Sequence, residues 1–308
     1  MTVAKVDPAT GATGAARTLE ASLPAGAALT YTAAQVESAL GFAIDATERP
    51  RLLVSGASST LEVQSFLLQP GGAFTEVSTG KAGSTVDVPS YVPAASVGYK
   101  SFIRVVNTGA QAAPVAAALV DANGTAGTPK TIIALLPGYG ATTLSSDQIE
   151  AFLGVAIAAS ARPRLRISTA FVGLEVQSFL LQPGGAYNEI SNAITGTSVV
   201  VRTYVPAVDS ATGYTSYLRV INTGSSATPV TMALVDGNTG VQSNAVVIAT
   251  LPAGGAQTFM SSQIEAAMGV NVAAGSRPRI AVTGNNVLEV QSFLTQPGGA
   301  FTEVSGGQ

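Results

Sequence analysis

The twelve-residue string LEVQSFLLQPGG stands at Leu61–Gly72 and returns unchanged at Leu174–Gly185, with a third copy, LEVQSFLTQPGG, at Leu288–Gly299. The copies are 113 and 114 residues apart, and their flanks repeat with them. SFIRVVNTG at Ser101 answers SYLRVINTG at Ser216; ALVDANG at Ala118 answers ALVDGNTG at Ala233 and AKVDPATG at Ala4. RPRLLV, RPRLRI and RPRIAV begin at Arg49, Arg162 and Arg277. A solenoid unit takes roughly 20–50 residues, so this period belongs to whole domains. A catalytic site is needed once, whereas a building block is needed at every copy.

Within a copy, β-branched and aromatic runs alternate with turn residues, which predicts short strands. The Asp7, Asp121 and Asp236 segments read as hairpin turns. One segment per copy reads as a helix of about two turns: Thr32–Gly41, Ser145–Gly154 and Ser262–Gly269, opened by a Ser/Thr–Gln/Glu capping box and closed by glycine. RPRLLV…LEVQSFLL reads as a β-hairpin, with its second strand starting at an exposed edge. The expected fold is mainly all-β: three tandem immunoglobulin-like β-sandwich modules of about 100 residues, each with one short capped helix. The expected modules are residues 1–92, which lack a first strand, 93–206, and 207–308, which lack a terminal linker strand. Thr79–Gly109 and Ala193–Gly224 read as linkers. The first module then has an unpaired edge, either native or cut from a longer array.

Composition excludes several functions. The chain has no Cys, His or Trp, so disulfides, thiolate zinc sites and the commonest general base are unavailable. Fifteen basic residues lie scattered in a chain of net charge −3, without the basic stripe of a nucleic-acid binder. Mean hydropathy is high at +0.37, yet no apolar run reaches membrane-spanning length. The opening MTVAKVDPATG lacks the layout of a signal peptide.

The recurring polar residues admit a chemical and a structural reading. Glu62, Glu175 and Glu289 could form glycosidase-type pairs with Glu76, Glu189 and Glu303. The structural reading pairs them across the hairpin with Arg51, Arg164 and Arg279, and it is preferred because every copy carries the same set. The turn aspartates could hold Ca²⁺, but each stands as a lone carboxylate, so no cofactor is expected beyond that weak possibility. Arg104 and Arg219 read as snorkelling or paired surface arginines. Phe74, Tyr187 and Phe301 could stack on a sugar ring, or plug the sheet as buried aromatics.

Taken together, SFxRVxN at Ser101–Asn107, the turn at Asp121–Gly124, the helix start at Ser145–Glu150, the strand Leu174–Leu181 and Val205–Pro206 resemble the tandem repeats of bacterial secreted and cell-surface proteins. The resemblance covers nearly the whole chain, but the sequence departs from it by lacking His and Trp and by a shortened region after the helix. It implies an extracellular β-sandwich repeat without catalysis. The function expected is therefore a non-enzymatic structural or adhesive protein at the cell surface, partnered by itself or by other surface proteins. In that expectation it assembles into a fibre or layer through sheet edges and chain ends. The alternative is a module binding a carbohydrate or host ligand.

Overall fold

The computed structural model describes all residues except 26, 46–47, 58–60, 62, 69–73, 78–79, 171–172, 238 and 306–308. The chain is mainly β, in several antiparallel sheets. In the second sequence copy, Lys130–Leu136, Ala113–Val120, Arg164–Thr169 and Thr85–Val88 form one sheet in that order. Ala141–Ser145, Lys100–Asn107, Leu174–Leu181 and Tyr187–Glu189 form another, and Lys81–Gly83 joins Leu174–Leu181. Both sheets feed a single core that includes Val86, Ile103, Val115, Leu165, Ile167 and Val176. The alternation of burial along Lys100–Asn107 and Leu174–Leu181 is that of strands with one face on a core.

The hairpin expected at RPRLRI…LEVQSFLL does not form. Arg164–Thr169 pairs with Ala113–Val120 and Thr85–Val88, whereas Leu174–Leu181 pairs with Lys100–Asn107 along its whole length. The chain crosses from one sheet to the other between them, through Gly173 at φ +123°. Leu174–Leu181 is thus central in its sheet, not an exposed edge. In the third copy the same residues form one continuous strand, Arg279–Thr295. Its first half pairs with Thr228–Val235 and its second with Thr215–Asn222.

The expected linkers also take part in the sheets. Lys81–Gly83 and Thr85–Val88 pair with strands of the second copy, and Ile194–Val201 pairs with Arg279–Thr295. Divisions after residues 92 and 206 therefore separate each of these strands from its partners. Pairing puts the changeovers near residues 80 and 193. Two separated runs of alternating residues carry no local sign of which side claims them.

The helices are α1 (Ala33–Leu40), α2 (Ser146–Leu153) and α3 (Ser261–Met268), each closed by a left-handed glycine. Thr32 and Ser145 cap the first two: Gln35 and Gln148 donate their backbone N–H groups to the hydroxyls and return a side-chain oxygen to the cap N–H. The third departs from the expected start at Ser262. Its cap is Met260, whose N–H reaches Gln263 Oε1 at 2.9 Å but whose thioether supplies no cap oxygen. Met260→Ser is expected to stabilise the chain by about 1 kcal/mol, read as a higher denaturant midpoint at unchanged slope.

Tyr91 and Tyr204, in the YVP segments, are fully buried and tie strand to helix. Tyr91 donates its phenol to Ser146 O and Glu150 Oε1, and Tyr204 does the same to Ser261 O and Glu265 Oε1. Burial and the adjacent carboxylate raise both phenol pKa values.

Candidate functional site

The repeated polar residues converge where one sequence copy meets the next, and the same contacts occur at both junctions. Ala141 N donates to Pro8 O at 2.8 Å; Ala256 N donates to Ala122 O at 2.8 Å. Arg51 donates to Tyr139 O at 3.0 Å, and Arg164 donates to the equivalent Gly254 O. Arg104 donates to Arg49 O at 2.8 Å, and Arg219 donates to Arg162 O at 2.9 Å. Gln177 and Gln291 of the repeated string reach back to Val77 O (2.9 Å) and Ile190 O (3.0 Å) of the preceding copy.

These contacts grow from local structure. The turn aspartates spend a carboxylate oxygen on their own loops: Asp7 on the N–H groups of Ala9 and Thr10, Asp121 on those of Asn123 and Thr125, Asp236 on that of Thr239. The turn so shaped presents its backbone to the LPxxG turn of the next copy. That second turn is held by Asn107, whose amide nitrogen donates to Gln111 O (2.7 Å) and Pro137 O (3.0 Å), and likewise by Asn222. Gly124, at φ +87°, lies so close that a Cβ there would sit 2.5 Å from the Gly254 carbonyl carbon.

Arg219, like Arg164, is a buried junction cation. Its Nε donates to Pro89 O at 2.7 Å, and its other nitrogens reach Thr258 Oγ1 and Arg162 O. Burial, with Arg164 nearby, lowers its pKa to about 10. The snorkelling surface arginine expected here is instead a clasp on two carbonyls of the preceding copy. The sequence shows an arginine recurring inside an apolar strand, but not its partners, which are backbone carbonyls.

The expected Arg–Glu pairs give way to other partners. Arg164 faces Asp87 at 3.5 Å, Asp87 is held by Arg166 at 2.7 and 2.9 Å, and Glu289 pairs with Lys81. The crossing between sheets is the reason, since it carries Arg164 and Glu175 into different sheets. Arg51 bonds backbone carbonyls of the second copy, and Arg279 lies beside the Gly240 turn. Glu62 and the side chains of Phe74 and Glu76 lie outside the described residues.

The aromatics fall along the same junctions. Phe301 stacks on Phe293 (4.8 Å between ring centroids) and tilts against Tyr217 at 6.4 Å. Val92, Leu180, Ile190 and Phe293 form a small core there, with Tyr99, Tyr217 and Phe301 against it. Gln182 and Asn188 donate to Phe301 O, and Phe301 N donates to Gln182 Oε1 at 2.7 Å. Tyr187 packs on Phe102 at 5.6 Å, and the Phe74–Glu76 strand lies against Tyr187–Glu189. These rings seal contacts within the chain.

No known protein family matches this sequence, and no curated protein does. The contacts themselves therefore carry the functional argument. Among the described residues no three acidic side chains gather as a metal-ligand group, and no helix is long and apolar enough to cross a membrane. The groove beside the second junction, lined by Lys81, Asp87, Arg166, Thr223 and Glu289, has its charges engaged in the ion pairs already given.

One titrating group at the second junction has a measurable consequence. Both carboxyl oxygens of Glu303 are buried without a hydrogen-bond partner, and burial lifts its pKa well above the ordinary 4.5. The folded chain holds this proton to a higher pH than the unfolded one. Its contribution is therefore favourable below about pH 4.5 and declines as pH rises through the folded pKa. Glu303→Gln is expected to flatten that decline, measured as the denaturant midpoint across pH 4 to 8.

Proposed function

We propose that this protein is a non-enzymatic structural repeat protein acting outside the cell, built as a head-to-tail stack of three β-sandwich modules. One observation carries the reading: two junctions, 113–114 residues apart in sequence, are closed by the same backbone, arginine and glutamine contacts. A head-to-tail contact joins two different faces and so has no built-in stop. Its donors are mainly guanidinium and amide groups, and its acceptors are backbone carbonyls. The array thus fixes the orientation of each module to the next, as a spacer or scaffold requires and a string of independent binding domains does not. The extracellular setting is supported by the resemblance to secreted repeats and by the weakly charged surface. Assembly beyond one chain would use the same two faces at the chain ends.

Small-angle scattering of the whole chain tests the stack. The reading predicts one rigid particle whose profile is the same in low salt and in 1 M salt, because most junction contacts pair a donor with a carbonyl dipole. A profile that requires freely reorienting modules would defeat it.

A further inference from the structure

The first copy exposes residues that its sisters bury. Leu52 is 44% exposed where Leu165 is 0%, Val63 is 52% where Val176 is 2%, and Leu67 is 42% where Leu180 is 2%. The paired residues are identical, so the difference lies in what covers them. In the second copy the cover is Thr85–Val88, with Val88 opposite Leu165 and Val86 opposite Ile167, together with Lys100–Asn107 along Leu174–Leu181. Tyr91 joins the two covering strands and bonds Glu150 of α2. The third copy repeats this with Ile194–Val201, Tyr204 on Glu265, and Thr215–Asn222.

In the first copy the underlying strand is correctly built. Arg51–Ser55 pairs with Thr2–Val6 so that Leu52 meets Lys5, just as Leu165 meets Leu119. Among the described residues, no strand stands where Thr85–Val88 and Lys100–Asn107 stand in the second copy. Glu37 of α1 occupies the position of Glu150 and Glu265.

We infer that this face is a docking surface for an extended segment of the chain's own repeat type, carrying a Val-x-Val strand, a Tyr-Val-Pro turn and a Ser-x-x-Arg-Val-x-Asn strand. The inference rests on the stacked-module reading only in treating the copies as equivalent. The Val-x-Val strand adds to the open edge of Arg51–Ser55 by main-chain hydrogen bonds, and its valines cover Leu52 and Val54. The tyrosine donates to Glu37. The arginine strand lies along residues 63–68 and covers Val63 and Leu67. This is recognition by strand addition, with alternate side chains giving specificity.

The test is a fusion of a second copy of residues 193–229 directly ahead of Met1 in the full chain. No linker is needed, because Val230–Asp236 aligns with Met1–Asp7. Amide exchange at Arg51–Ser55 and Phe66–Leu68 is expected to slow by at least about tenfold relative to the parent chain. A synthetic peptide of residues 193–222, added to the parent in trans, is expected to protect the same amides. Val199→Asp with Val201→Asp in the added segment is expected to abolish both effects. Unchanged exchange with both the fusion and the peptide would overturn the inference. So would a parent chain that is dimeric by light scattering and already protected at those amides. Failure of the stack would appear instead at the junctions of the second and third copies, which this readout does not touch.

Discussion

Replacing Arg219 with methionine is expected to cost the chain about 2–5 kcal/mol and to loosen the contact between the second and third copies. The guanidinium is buried and donates to Pro89 O and Arg162 O. Without it, two carbonyls lose their donor away from water, at roughly 1–3 kcal/mol each. Methionine regains some apolar packing and removes the cost of burying the cation, so the lower half of the range applies if the site collapses well. Lysine is not expected to rescue, because a point donor on a flexible stem cannot span two carbonyls as a planar fork does. Arg104 sets the comparison, since it reaches one carbonyl of the preceding copy, Arg49 O. Arg104→Met is therefore expected to cost about half as much. Denaturant unfolding of the whole chain measures both.

The second large effect is expected from Gly124→Ala. The residue sits at φ +87°, where an L side chain costs roughly 1–2 kcal/mol. The new methyl would also press on the Gly254 carbonyl carbon, which belongs to backbone and cannot swing away. Gly184→Ala separates the two costs, because Gly184 has φ +89° and nothing within 4 Å of its would-be Cβ. Any loss at Gly124 beyond that at Gly184 is attributable to the junction. Equal losses would mean that the turn and the LPxxG loop do not press together in solution.

What was legible in the sequence was what is local. Thr32 with Gln35, and Ser145 with Gln148, announced two helix starts, and the turn aspartates bond their own loops. Met260 broke the third cap because the residue preceding Ser261 cannot accept a hydrogen bond, and the nearby Ser262 disguised it. The period located the copies, but strand partners depend on the path between sheets, which no local pattern specifies. The assumption of a hairpin between Arg164 and Glu175 failed for that reason. The junction arginines stayed hidden because their partners are main-chain carbonyls, which every residue carries.

The repeated string changes meaning accordingly. In LEVQSFLLQPGG the first glutamine, Gln177 or Gln291, holds the preceding copy, while the first leucine and the valine, Leu174 with Val176 or Leu288 with Val290, face the core of their own copy. Retention of the string follows from a junction made more than once.

The most direct test of that claim uses the absence of cysteine from the chain. Two variants are made, Pro8→Cys with Ala141→Cys and Ala122→Cys with Ala256→Cys. Each pair joins residues linked by an N–H to carbonyl bond of 2.8 Å, and a disulfide needs Cα atoms about 4.4–6.8 Å apart with converging side chains. Both variants are predicted to oxidise to intramolecular disulfides in the folded monomer, at comparable rates. A disulfide at one junction only, or crosslinking solely between chains, would contradict a stack built twice from the same contact.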